Sequence, residues 1–134
     1  MKKPLSRLGP LALVVAMALP GAAMAQSFLC TITESGGTNG WMPPSFLIEY
    51  SGDNATVTHG WVGGPSSVQT QIRGNDNRRR LNYVLGDVGG SGGQRATMAF
   101  RLVHTMGSGQ LRVYIDPVEY RNSYSASGAC ARMS

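Results

Sequence analysis

Two histidines, two cysteines, a run of three arginines and two tryptophans are the side chains of this 134-residue sequence whose types lend themselves to chemistry. Cys30 and Cys130 are the only cysteines, and the C-x-x-C spacing of a redox pair is absent. In an exported chain such an isolated pair reads as a disulfide, closing a loop of about 101 residues. His59 and His104 fall on the apolar side of alternating segments. Imidazole can ligate metal or act as acid and base near neutral pH. Zinc needs a third and a fourth ligand, and no local His/Asp/Glu spacing supplies them, so no metal is expected and these two are the only candidates. The plainer expectation sets each ring at the rim of the core, with its nitrogens hydrogen-bonded or hydrated.

Arg78-Arg79-Arg80, with Arg73 nearby, is the densest charge cluster. On a strand Arg78 and Arg80 share one face and Arg79 points to the other. Arg73, Arg78 and Arg80 are therefore the candidate anion-binding set, able to hold phosphate or carboxylate bidentately. The competing reading is a solvated strand end that keeps an edge from aggregating. Trp41 and Trp61 flank a short hairpin, and Trp41-Met42-Pro43-Pro44 is a stiff apolar loop. It either plugs one end of a barrel or, if exposed, joins Trp61 in a recognition surface. No catalytic residue emerges. There is no G-x-S-x-G, the seven carboxylates are scattered, and the glycine doublets lack a following helix to cradle phosphate. No cofactor is expected.

The elements that must position these groups are strands. Met98, Phe100 and Leu102 alternate with Ala99, Arg101 and Val103, and Leu111, Val113 and Ile115 alternate with Arg112, Tyr114 and Asp116. A Gly107-Ser108 turn, with positive φ at Gly107, would pair Leu102 with Val113, Phe100 with Ile115 and His104 with Leu111. A Gly52-Asp53 turn likewise pairs Ile48 with Val57 and Phe46 with His59. A first strand runs through Phe28, Cys30 and Ile32. Ser67 to Arg73 reads as a weaker edge strand and Arg80 to Val88 as a fuller one. Gly86 to Gly93 reads as a flexible loop, and Val118, Tyr120 and Tyr124 as a last strand leading to Cys130. Seven or eight short strands joined by tight turns, without a helical period, make an all-β antiparallel meander. A closed barrel is favoured over a sandwich because the disulfide ties first strand to last.

Residues 1–25 read as a secretory signal peptide: a basic start at Lys2, Lys3 and Arg7, an apolar stretch from Leu11 to Leu19, and Ala23-Met24-Ala25 as the cleavage signal. Residues 26–134 then form a single β domain without a transmembrane span. Nine arginines less seven carboxylates leave that segment, which has no lysine, at net charge +2. Such a balance does not indicate a nucleic-acid binder.

With its signal and one cysteine just inside each mature end, the sequence resembles small uncharacterised secreted proteins of bacteria. It is also similar, more distantly, to the periplasmic inhibitors of c-type lysozyme, small barrels with cysteines similarly placed; their Ser- and Lys-containing motif is absent here. The resemblance implies a periplasmic or secreted protein. The expected function is a non-enzymatic binding or interaction module of the cell envelope, with an envelope protein, glycan or lipid as partner. The alternatives are an inhibitor of an envelope hydrolase and a small hydrolase.

Overall fold

The computed structural model describes residues 25–36, 40–61, 64–89, 93 and 95–133. The expected signal peptide lies outside these residues except for Ala25. Eight strands form: β1 (Gln26–Ser35), β2 (Ser45–Ser51), β3 (Asn54–His59), β4 (Ser66–Gly74), β5 (Arg78–Gly89), β6 (Arg95–Thr105), β7 (Gln110–Pro117) and β8 (Tyr124–Arg132). Each pairs antiparallel with the next and β8 returns to β1, so the sheet closes into a barrel. Closure gives every strand a partner on each side, the shortest ladder being the three pairs from Ile72–Leu81 to Gly74–Arg79 between β4 and β5. No α-helix occurs among the described residues.

Period-2 patterning decides what fills the barrel. Along β2, Phe46, Ile48 and Tyr50 are buried while Glu49 and Ser51 are exposed; along β7, Leu111, Val113 and Ile115 are buried while Arg112 and Asp116 are exposed. Leu81, Met98, Phe100 and Leu102 complete the interior from β5 and β6. A barrel of this strand number is just wide enough for side chains to fill it, and here they do. Cys30 stands opposite Cys130 in the β1–β8 ladder, and the two form a disulfide.

The hairpin registers follow the alternation. In β2–β3, Phe46 faces His59 and Ile48 faces Val57 across a two-residue turn with Gly52 at φ 59°. In β6–β7, Phe100 faces Ile115, Leu102 faces Val113 and His104 faces Leu111. The turn itself differs from expectation. It spans residues 106–109, and the positive φ (74°) is at Gly109 rather than Gly107. Gly109 N–H donates to the Thr105 carbonyl at 2.9 Å, and its own carbonyl accepts from Cys130 N–H at 2.7 Å. Docking of the turn onto β8 thus selects the longer loop. Two- and four-residue loops share one register, so the faces are unaffected.

Three element boundaries are also corrected. Ser66–Gly74 is no edge strand, because it pairs with both β3 and β5. The β5 strand continues to Gly89 through a bulge between Leu85 and Val88, where Asp87 takes φ 57° and Arg95 binds both its carboxylate and its carbonyl at 2.6 Å. Gly86 therefore belongs to a strand rather than a loop, and its extra residue is absorbed as a bulge. The last strand begins at Tyr124, and Val118 (61% exposed) and Tyr120 (56%) lie in the turn before it.

Candidate functional site

The chemistry-bearing side chains divide among three places: two ends of the barrel interior and its outer face. At the end where β3 finishes, His59 is fully buried. Its Nδ1 lies 2.8 Å from the Ser66 carbonyl, which can only accept, so Nδ1 carries the proton. Nε2 then accepts from the Tyr83 hydroxyl at 2.7 Å. Burial holds His59 below its usual pKa against the opposing pull of the Ser66 carbonyl, and burial pushes Tyr83 well up. Trp61 stacks on the ring at 5.0 Å and Phe46 and Phe100 meet it at 5.6 and 5.2 Å. Both ring nitrogens are satisfied, and the cluster is a packed polar knot in an aromatic core.

The loop entering β2 lies at this end. Trp41 is only 3% exposed and, with Met42, belongs to the core cluster; Pro43 is fully buried. Ile32 N–H donates to the Pro44 carbonyl at 3.0 Å and fastens the loop to β1. The loop acts as a plug, and Trp41 presents no exposed ring for recognition. Trp61 is partly buried against the same core.

The opposite end is built on Arg79. It sits directly across from His104 in the β5–β6 ladder, and β5 turns it inward in phase with Leu81 and Tyr83. Its guanidinium lies 4.4 Å above the Tyr50 ring, and one terminal nitrogen donates to Gln26 Oε1 at 3.1 Å. The Tyr50 hydroxyl lies 2.7 Å from His104 Nδ1. Burial raises Tyr50 to about 12, with Arg79 opposing, and burial followed by the Arg79 charge lowers His104 to about 4. His104 is therefore neutral at pH 7, and its buried Nε2 has no hydrogen-bond partner among the described residues. A cavity of ≈ 570 Å³ opens over this group, with Gln26, Tyr50, Asp53, Asp76, Arg79 and Arg132 in its lining.

His59 and His104 thus do not converge: each has its own tyrosine, towards opposite ends of the barrel. No group of three His, Cys, Asp or Glu residues suited to a metal ion occurs among the described residues. Arg79 is the residue that sequence reasoning passed over. The available signal was its phase, an arginine in step with the apolar positions Leu81 and Tyr83.

The outer face carries the other arginines. Arg73 stands directly opposite Arg80, Arg80 opposite Val103 and Val103 opposite Arg112, one row running from β4 to β7. Arg78 flanks that row on one side and Arg101 on the other. Arg101 lies 4.5 Å over the Tyr114 ring, and Arg112 Nε donates to the Tyr114 hydroxyl at 3.1 Å. The one ion pair among the described residues is Arg95–Asp87, away from this row. The expected set of Arg73, Arg78 and Arg80 is brought together on one exposed face, and Arg101 and Arg112 extend it.

Fold and sites define an eight-stranded meander barrel with a filled interior, a basic outer face and a polar mouth. Comparison with protein-family models, curated proteins and solved structures yields no significant match.

Proposed function

We propose that this protein is a non-enzymatic binding module of the bacterial cell envelope, periplasmic or secreted, whose outer arginine face engages an acidic glycan. The carrying observation is the Arg73–Arg80 pair, two exposed like charges directly opposite on one face with no carboxylate partner. Such a pair costs stability, and Arg78, Arg101 and Arg112 surround it without an ion pair to a described carboxylate, an arrangement that an anionic ligand would turn to advantage. Asn82, Thr105, Gln110 and Ser127 interleave with the arginines in the same ladders. Their hydroxyls and amides suit a hydrated sugar polymer better than a bilayer surface. The disulfide supports an oxidising compartment. A second reading, inhibition of an envelope hydrolase, draws on the exposed turn bearing Val118 and Tyr120, the kind of protrusion that fits a cleft.

The test is retention on immobilised dextran sulfate against neutral dextran, across a salt gradient. Retention on the sulfated polymer alone is expected, lost steeply with salt because screening acts over ~8–10 Å. The double variant Arg78→Gln/Arg80→Gln should elute at lower salt while keeping its circular dichroism spectrum. Unchanged elution of that variant, or binding to phosphatidylglycerol vesicles without binding to the polymer, would overturn the proposal.

A further inference from the structure

The half-buried cation at the barrel mouth makes a second, smaller site. Arg79 shares its cavity lining with Asp53 and Asp76, yet forms an ion pair with neither. Its guanidinium is turned instead onto the Tyr50 ring and the Gln26 amide, both neutral. A guanidinium partly withdrawn from water and left without a counter-charge is costly, and the two neutral partners fix its orientation without cancelling its charge. The neighbouring His104 is neutral and provides no anion. The arrangement is a positioned fork of N–H donors at a cavity large enough for a small molecule.

From this geometry we infer that the mouth binds a small monocarboxylate, its two oxygens received by the Arg79 guanidinium beside Tyr50 and Gln26. The charge of the lining selects the ligand class. A planar carboxylate matches the guanidinium fork bidentately and carries one charge. A phosphate dianion would bring a second negative charge into a cavity whose lining already balances Arg79 and Arg132 with Asp53 and Asp76. Asp53 and Asp76 are exposed whereas Arg79 is half-buried, so the positive group lies deeper than the negative ones. A free organic acid and an amino acid offer the same carboxylate chemistry, and the second adds an ammonium group that the two outer carboxylates would attract. This site faces the barrel mouth and is independent of the outer arginine face.

The experiment is an NMR titration of the disulfide-bonded protein with propionate, alanine and inorganic phosphate, each alone at constant ionic strength. Saturable amide shifts confined to Gln26, Tyr50, Arg79 and their neighbours are expected with at least one carboxylate, with Kd of about millimolar for so small a probe. Propionate and alanine separate the plain acid from the amino acid. Arg79→Gln should weaken binding at least tenfold and Arg78→Gln, on the outer face, less than twofold. If Arg79→Gln fails to fold, the wild-type shift map decides alone. Shifts that follow ionic strength rather than ligand, map to the outer face, or arise only with phosphate would overturn the inference.

Discussion

Each of the two buried histidines is held neutral by its surroundings, and the same tyrosine-to-imidazole bond recurs at both. Tyr83 meets His59 and Tyr50 meets His104, each at 2.7 Å. Tyrosine supplies a polar tip on an apolar body, so a histidine can be buried without a carboxylate. The consequence is a pH dependence whose sign can be worked out. Both histidines have a folded pKa below the ordinary 6.5, His104 at about 4. Between those values the unfolded chain binds protons that the folded chain refuses, so stability is full above pH 6.5 and falls as pH drops towards 4. The slope is at most about 1.4 kcal/mol per pH unit for each proton taken up on unfolding. Urea midpoints measured at pH 7.5, 6, 5 and 4.5 should decline monotonically, and His59→Gln or His104→Gln should flatten the decline. A midpoint independent of pH over that range would refute the argument.

At the scale of elements, what could be read in the sequence was whatever depends on alternation alone. Phe100 against Ile115 and Phe46 against His59 follow from period two plus an even-length turn, and no long-range information is needed. The β5 bulge and the Gly109 turn were not legible, since each answers to a partner on an adjacent strand that alternation does not reveal: Arg95, at the start of β6, for the bulge, and Cys130 of β8 for the turn. The plug was open between two readings because a Trp-Met-Pro-Pro loop looks the same in sequence whether buried or exposed. Arg79 was placed on the correct side of its strand, but its role depends on Tyr50 and Gln26, which come from elements far away in the chain. One close approach was equally invisible. A Cβ at Gly128 would strike the Thr31 carbonyl oxygen and come within 3.1 Å of Ile32 Cα, on the strand pair that closes the barrel. Gly128→Ala should therefore cost about 1–3 kcal/mol through overpacking. Gly36→Ala, where nothing lies within 4 Å, should cost within about 0.5 kcal/mol. Chemical denaturation of the two variants checks both values, and equal stabilities would mean that β1 and β8 separate more easily than their register implies.

For the molecule as a whole, seven of the eight strand pairings join neighbours in the chain, and one does not. The β1–β8 seam brings together residues 100 apart in sequence, and the Cys30–Cys130 bond crosses that seam. Every other pairing can be made by a local hairpin or a short connection, but the seam must overcome the closure entropy of nearly the entire chain. A covalent link at that place removes the same entropy from the unfolded state, worth about 4–5 kcal/mol in the chain-entropy model. At roughly 4 °C or more per kcal/mol for a domain of this size, reduction should lower Tm by more than about 10 °C. In the native, unreduced protein iodoacetamide should label neither Cys30 nor Cys130. A Cys30→Ala/Cys130→Ala variant should reproduce the reduced Tm, separating loss of the link from any effect of free thiols. Hydrogen exchange supplies the local readout: on reduction, protection should fall first at β1 and β8 and last in the β5–β6–β7 sheet, whose pairings are local. A uniform loss of protection, or a Tm unmoved by reduction, would show that the noncovalent ladder alone holds the seam and that the disulfide is dispensable to closure.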